Sequence, residues 1–310
     1  MGLAVSGRSE LPPGVVLNRR YQIVQVLGQG GFGITYCAKD VTNGATYAVK
    51  EYFPSNYATR RRDGSVVAKD RRKVEFDRFR AGFVTETEHL SMFDHPNIVP
   101  VVSRFIANNT AYFVMEYLTG AVLGDQILRQ GPLSGDAVSL IGENLIEAVK
   151  TIHDQDLIHR DIKPHNIVLG EVKARRRTRI ADLPDDVMTR FGKPILLDFG
   201  AARVVGPNGR PMTLIVSEGF GAPEQFDEFA NQDKRLDLFG LAATLYYCLS
   251  GLMLPSAIDR RAGTPLEPAA RRFAGSMPRH RLQAIDRALE LDPAKRPANI
   301  REFRREFFDL

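Results

Sequence analysis

Three polar side chains of different chemical type lie close together in the segment 158–166. The segment reads Ile-His-Arg-Asp-Ile-Lys-Pro-His-Asn, so Asp161 is followed two residues on by Lys163 and five residues on by Asn166. A loop with this order can present a carboxylate to a hydroxyl, an ammonium to a phosphate and an amide to a metal ion. Further along, an apolar stretch runs into a second carboxylate, Asp198, which can also bind a metal ion. These residue types together indicate chemistry on a phosphate held by a cation.

A glycine-rich stretch lies near the N-terminus. It reads Gly-Gln-Gly-Gly-Phe-Gly over 28–33 and is followed by Ala-Val-Lys over 48–50. Glycines without side chains let backbone N–H groups approach phosphates closely. One such stretch alone is often only a turn. Taken with the two segments above, in this order and spacing, it resembles the signature set of the protein kinase family, and the resemblance covers about residues 21–308.

The resemblance implies an ATP site built around Lys50, which would hold the α and β phosphates. Glu86 and Glu88 are both candidates to fix Lys50, and Glu86 has the family spacing to the His-Pro-Asn that follows. Met115 aligns with the gatekeeper position, and Thr35 replaces a frequent valine beneath the adenine. The full implied ATP-binding set is Leu27, Gly28, Gly30, Gly33, Thr35, Ala48, Lys50, Glu86, Met115, Glu116 and Leu118.

The catalytic roles implied by the resemblance fall on four residues. Asn166 and Asp198 would hold Mg²⁺, with Mn²⁺ as an alternative, and Asp161 would orient the substrate hydroxyl and accept its proton. Lys163 would stabilise the transferred γ-phosphoryl group. The Lys-Pro pair after the aspartate resembles Ser/Thr kinases rather than tyrosine kinases.

The resemblance also implies structural partners for this loop. Glu224, in Ala-Pro-Glu, would pair with Arg296, and Asp237 would brace the catalytic loop from a central helix. Phe199 would pack with His159. We expect His159 to be an interior side chain that takes no part in proton transfer during catalysis.

Control of the activity is predicted for the segment 200–222. Ser217 occupies the position of the Ser or Thr that lines the substrate site, and Thr213 has the spacing of the usual phosphorylated threonine. A phosphate on Thr213 would accept charge-assisted hydrogen bonds from Arg160. The alternative is an unmodified threonine in a segment that is always ordered.

The predicted fold is α+β, the bilobal protein kinase fold with a small antiparallel-sheet N-lobe and a mainly helical C-lobe. We expect a flexible arm over 1–20, the N-lobe over 21–118 and the C-lobe over 119–310, with a surface insertion at 171–194. Apolar spacing predicts helices over 76–93, 135–153, 282–290 and 300–308. Alternation and turn residues predict strands over 21–27, 34–39, 46–50, 98–105 and 111–117.

The connection 51–80 is longer than is usual in the family and contains the basic runs 60–62 and 71–73. Its start, Lys-Glu-Tyr-Phe-Pro over 50–54, resembles a branch of bacterial eukaryotic-like kinases. The arginines are interpreted as a solvated loop, with a docking surface as the alternative. In either case we expect replacement of 60–62 by serine to leave the KM for ATP nearly unchanged.

The net charge and the cysteine content limit the binding partners and the compartment that we expect. The net charge of +5 is interpreted as solvated arginines, so no nucleic-acid partner is expected. The expected partners are protein substrates with Ser or Thr, self-association stays open as a weak or regulatory contact, and no transmembrane span is expected. Two distant cysteines suggest a reducing, cytoplasmic compartment. The alternative is a secreted effector acting inside a host cell, N-myristoylated at Gly2.

The expected activity is transfer of the ATP γ-phosphoryl group to protein Ser and Thr hydroxyls, together with autophosphorylation. Three rivals stay open: an inactive kinase-like scaffold, a small-molecule phosphotransferase of related fold, and a nucleic-acid-binding protein. The complete set of polar residues argues against the scaffold, and Lys163 argues against the small-molecule enzyme.

Overall fold

The structure, a computed structural model, describes residues 9–31, 33–171, 192–197, 218–227 and 229–310. The described residues form two compact units, one made of 9–94 with 99–118 and the other of 95–98 with the residues from 119 onward. The first unit is an antiparallel sheet with one long helix, and the second is mainly helical. The predicted α+β, bilobal fold is therefore confirmed.

The sheet of the first unit has six strands in the order β1-β2-β3-β4-β8-β7, all antiparallel. The strands are β1 Val16–Leu17, β2 Tyr21–Gln29, β3 Gly33–Asp40, β4 Thr46–Tyr52, β7 Val101–Ala107 and β8 Thr110–Glu116. A two-residue turn joins β7 and β8: Asn108 and Asn109 both have positive φ, 50° and 57°, as a type I′ hairpin requires. The five strands predicted from alternation all exist, with ends shifted by at most three residues.

Helix α1, Lys73–Leu90, packs on this sheet. Its apolar stripe is the predicted one and is buried: Phe76, Phe79, Phe83 and Leu90. The ring of Phe83 lies 5.3 Å from that of Phe113 on β8. This helix carries Glu86 along the sheet.

The prediction of a flexible arm over 1–20 is wrong for residues 9–20, the part that the structure describes. Leu11 and Leu17 are 3% and 2% exposed. Val16–Leu17 pairs with β2, and the backbone N–H of Leu11 donates to the Tyr36 hydroxyl at 3.1 Å. The prolines and glycines of this segment suggested mobility, but its two leucines bury apolar surface against the sheet.

The connection 51–80 is also more ordered than a solvated loop. Glu51 and Tyr52 end β4, residues 58–68 form a hairpin, and α1 begins at Lys73. The hairpin strands are β5 Ala58–Arg60 and β6 Val66–Ala68. The hairpin is bonded to the turn at Asn108, whose carbonyl accepts from the Val66 N–H at 2.8 Å.

The second unit is built around α4, Arg235–Ser250, which is buried along most of its length and ends at Gly251 with φ +66°. The other helices are α2 Leu123–Gln130, α3 Gly135–His153, α5 Ala257–Arg261, α6 Ala269–Arg272, α7 Arg279–Ala288 and α8 Ile300–Phe308. A small sheet, in the order β11-β10-β9, flanks the catalytic loop, with β9 Thr119–Val122, β10 Ile167–Glu171 and β11 Lys193–Leu196. In the described part of the chain, no helix combines the length and the apolar character needed to cross a membrane.

Candidate active site

Four of the predicted nucleotide-binding side chains lie on one face of the sheet of the first unit: Thr35, Ala48, Lys50 and Met115. Strand register places Lys50 directly opposite Thr35 on β3 and Phe113 on β8. Ala48 is likewise opposite Met115. Because side chains two residues apart in a strand share a face, these positions form one continuous patch.

The glycines of β2 and β3 are required for different reasons. A β-carbon on Gly28 or Gly30 would meet no described atom within 4 Å. A β-carbon on Gly33 would lie 2.6 Å from the carbonyl oxygen of Glu51. Gly33 is thus needed for close strand pairing, whereas the described protein leaves the space above Gly28 and Gly30 open. That open backbone fits the close approach of a phosphate.

Lys50 lies over an aromatic ring, with its Nζ 5.8 Å from the ring centroid of Phe113. Glu86 lies on α1, but its side chain falls outside the described atoms, so its pairing with Lys50 stays a prediction. The rival candidate, Glu88, forms a half-exposed ion pair with Arg104 at 3.2 Å. Glu88 is therefore a partly solvated acid.

The strongest departure from the sequence interpretation concerns Arg60, which is not a solvated loop residue. Its side chain is 4% exposed and forms a two-pronged ion pair with the fully buried Glu51, at 3.0 and 2.5 Å. The Tyr36 and Tyr112 hydroxyls donate to the same carboxylate at 2.8 and 2.5 Å. Burial and the Glu51 charge raise the pKa of both phenols, so they stay protonated and can donate. Arg61 and Arg62 are exposed, as expected.

Asp237, near the start of α4, holds the catalytic loop by its backbone. Its carboxylate accepts from the N–H groups of His159 at 2.8 Å and Arg160 at 2.7 Å, and lies 2.8 Å from Nε2 of His153. Burial alone would raise the pKa of Asp237, but the His153 contact and the backbone donor hold it below its ordinary value. The ionised carboxylate therefore persists in the interior.

The loop backbone is unusual at Arg160, whose φ is +69°. Left-handed backbone at a non-glycine residue persists where its surroundings fix it. Here the N–H is fixed by Asp237, and the carbonyl oxygen accepts from Nε2 of Gln225 at 2.9 Å. Burial lowers the pKa of the Arg160 guanidinium from its ordinary value. His159 is fully buried, as expected for an interior side chain.

The three polar side chains of the loop converge. Lys163 Nζ lies 2.8 Å from Oδ2 of Asp161, and Nδ2 of Asn166 donates to the same oxygen at 2.8 Å. Nδ2 also donates to the Asp161 carbonyl at 2.9 Å. Because the amide nitrogen is used in these bonds, the amide oxygen of Asn166 is the atom suited to a cation.

Glu224 and Arg296 form the ion pair expected from the sequence, with bonds of 2.6 and 2.9 Å. The guanidinium also donates to backbone carbonyls of Arg235, Glu290 and Leu291. Every N–H of Arg296 can therefore be satisfied in a side chain with no exposure.

Several predicted residues lie outside the described part of the chain: Gly2, Asp198, Phe199, Thr213, Ser217 and most of the insertion 171–194. Their roles stay predictions. Conversely, the sequence motifs did not predict two features of the structure: the Glu51–Arg60 ion pair and the contact of His153 with Asp237. The signal that was present is an acid at position 51 directly before the aromatic pair Tyr52 and Phe53, since a carboxylate buried with such residues needs a partner.

Comparison with known proteins gives a consistent set of similarities. A family model described as "Protein kinase domain" matches residues 21–308. The serine/threonine-protein kinase pkn2 of Myxococcus xanthus is 30% identical over 308 residues, covering 94% of this chain and 32% of that protein. The serine/threonine-protein kinase PrkC of Bacillus subtilis is 27% identical over 288 residues, covering 90% of this chain and 39% of that protein. The chain thus spans about a third of the length of these two relatives.

Among solved structures, PpkA-294 in its apo form is similar with a TM-score of 0.77 and 29% sequence identity. The match covers 97% of this chain and all of that chain.

Proposed function

Because the chain belongs to the protein kinase domain family, we propose that it transfers the γ-phosphoryl group of ATP to serine and threonine hydroxyls of protein substrates. The observation that carries the proposal is the catalytic loop. Asp161, Lys163 and Asn166 converge there within 2.8 Å contacts, on a backbone fixed by the buried Asp237. Relatives named as serine/threonine-protein kinases support the choice of acceptor.

The first unit would bind the nucleotide. Thr35, Ala48 and Met115 offer a surface to the adenine, and backbone N–H groups near Gly28 and Gly30 donate to phosphate oxygens. Lys50 donates to the α and β phosphates, and Glu86 holds it there.

The second unit would act on the hydroxyl. Asp161 orients the acceptor hydroxyl and takes its proton, while Lys163 shields the charge between that carboxylate and the phosphoryl oxygens. Asn166 and Asp198 are the side chains that would hold Mg²⁺, and Mn²⁺ suits the same oxygen ligands. A bound divalent cation neutralises charge on the phosphates. Activation through a phosphate on Thr213, with autophosphorylation as its source, belongs to the proposal on sequence grounds alone.

The test is phosphate transfer from labelled ATP to a generic protein substrate, in wild type and in Asp161→Asn. We expect the variant to lose on the order of 10²–10⁴ in kcat, the usual worth of a positioned base. Its affinity for ATP should stay near that of wild type. Phosphosite mapping of the product checks the acceptor residue type.

Two outcomes would contradict the proposal. A wild-type protein that binds ATP but transfers no phosphate in the presence of Mg²⁺ or Mn²⁺ would favour the scaffold. Transfer that Asp161→Asn leaves intact would show that another group accepts the proton.

A further inference from the structure

The buried carboxylate of Glu51 joins parts of the first unit that are distant in sequence. It receives hydrogen bonds from Tyr36 on β3, from Tyr112 on β8 and from Arg60 on β5. Its own strand, β4, lies between β3 and β8. One carboxylate therefore bonds to both neighbours of its strand and to the inserted hairpin.

This cluster lies next to Lys50 but on the opposite face of the sheet. Lys50 precedes Glu51, and successive side chains of a strand point to opposite faces. The cross-strand neighbours of Lys50 are Thr35 and Phe113, which adjoin Tyr36 and Tyr112. The cluster thus fixes, from behind, the three strands whose front faces carry the proposed nucleotide-binding side chains.

Arg60 also bonds to the N-terminal segment and to the turn of its own hairpin. Its Nε donates to the carbonyl of Ser9 at 2.7 Å, and its Nη1 donates to that of Gly64 at 2.9 Å. The guanidinium also lies 4.9 Å from the ring centroid of Phe53. Without Arg60, the hairpin would lose its bonds to Glu51 on β4, the N-terminal segment would lose its bond to the hairpin, and Glu51 would be left buried without this cationic partner.

A carboxylate bonded from three sides has one position that satisfies all its partners, whereas apolar contacts tolerate small shifts of a strand. We propose that Arg60 is a positioning residue: through Glu51 it fixes β4 so that Lys50 is held for the phosphates of ATP. This inference rests on the proposed function, because it takes Lys50 as the phosphate-binding lysine. It also replaces the sequence expectation that Arg60 has no effect on ATP.

The test separates phosphate binding from adenine binding. Affinities for ATP and for adenosine are measured by calorimetry in wild type and in Arg60→Met, Arg61→Met and Lys50→Met, with the melting temperature of each protein without nucleotide. We expect Arg60→Met to weaken ATP binding by roughly 10- to 100-fold, the scale for a misplaced binding group. Its adenosine affinity should stay close to that of wild type, as in Lys50→Met. The exposed Arg61→Met is the matched control and should behave as wild type.

A purely structural role predicts a different pattern, with a lower melting temperature but an unchanged ratio of ATP to adenosine affinity in the folded protein. That pattern would overturn the inference. If Arg60→Met does not fold, the neutral pair Glu51→Gln with Arg60→Gln takes its place, since it leaves no unpaired charge. A fall in the affinity ratio then supports the inference, and an unchanged ratio overturns it. If wild type itself binds ATP no better than adenosine, the proposed function fails first, and the two failures are distinguishable.

Discussion

Glycine serves two separate purposes between residues 28 and 33. The β-carbon absent from Gly33 would overlap the Glu51 carbonyl, so that glycine is required by strand pairing. Gly28 and Gly30 face open space, so their lack of a side chain matters only to something that approaches from outside the described protein. A single sequence motif therefore combines a folding requirement with a binding requirement.

This difference predicts that alanine at Gly28 impairs ATP use, whereas alanine at Gly33 impairs stability. Gly28→Ala should change the free energy of unfolding by less than about 0.5 kcal/mol, as at an unconstrained surface site. Its KM for ATP should rise about tenfold, equivalent to the loss of one or two hydrogen bonds. Gly33→Ala should lower the free energy of unfolding by about 1–3 kcal/mol, because the added carbon overpacks the strand pair.

Urea unfolding without nucleotide and steady-state kinetics measure the two quantities. Gly33→Ala is the control for Gly28→Ala, because both add the same methyl group. A large stability loss in Gly28→Ala would mean that this glycine is structural.

At the scale of elements, helix α4 determines where the catalytic loop lies. Asp237 accepts two backbone N–H groups of the loop. One turn later, a β-carbon on Gly240 would lie 2.9 Å from the carbonyl oxygen of Ile162. Residues three apart share a helix face. On this face, Asp237 bonds to the loop, and the missing side chain of Gly240 leaves space for the loop backbone at Ile162.

We therefore expect Gly240→Ala to move the loop and to lower kcat by roughly 10- to 100-fold, as misplacement of a reacting group does. The KM for ATP should change little, because the residues proposed to bind ATP lie in the other unit. Ala242→Gly is the matched control: it points away from the loop and should cost about 1 kcal/mol of helix stability while kcat stays the same. Equal loss of kcat in both variants would indicate general weakening of α4 instead.

At the scale of the whole molecule, the second unit is held together by a buried ion pair across 72 residues of sequence, Glu224 with Arg296. The guanidinium also lies 5.0 Å from the ring centroid of Phe239 on α4. The segment leading to Glu224, the central helix and the loop before α8 thus meet at one side chain.

We expect Arg296→Met to destabilise the protein by about 3–5 kcal/mol, because it leaves Glu224 charged and buried. Arg301→Met is the contrast. It breaks an ion pair with Asp154 in which the arginine is 68% exposed, and it should leave stability nearly unchanged. Chemical unfolding at neutral pH measures the free energy of unfolding of both variants. Comparable losses of stability would mean that burial does not make the Arg296 ion pair more stabilising than the exposed one.

Local patterns in the sequence determined much of this protein. The apolar spacing predicted α3 and α8 at their observed bounds, 135–153 and 300–308, because a helix face repeats within a few residues. The alternation and turn residues over 98–117 predicted the two strands of the hairpin β7–β8, and the residue types and spacing within 158–166 indicated a loop that acts on a phosphate. Each of these inferences needs only neighbouring residues.

Only the tertiary structure showed the role of Arg60, and only the tertiary structure showed that residues 9–20 pack on the sheet. In the sequence, Arg60 is the first of three arginines, and the N-terminal segment is rich in proline and glycine, so both suggest solvent exposure. Folding brings Arg60 within 3.0 Å of Glu51 and gives Leu11 a buried position beside Tyr36. The physical reason for the Arg60 position is that burying a charge costs much free energy unless its partner is buried beside it. That partner is identified by which strands meet in space, which neither composition nor periodicity encodes.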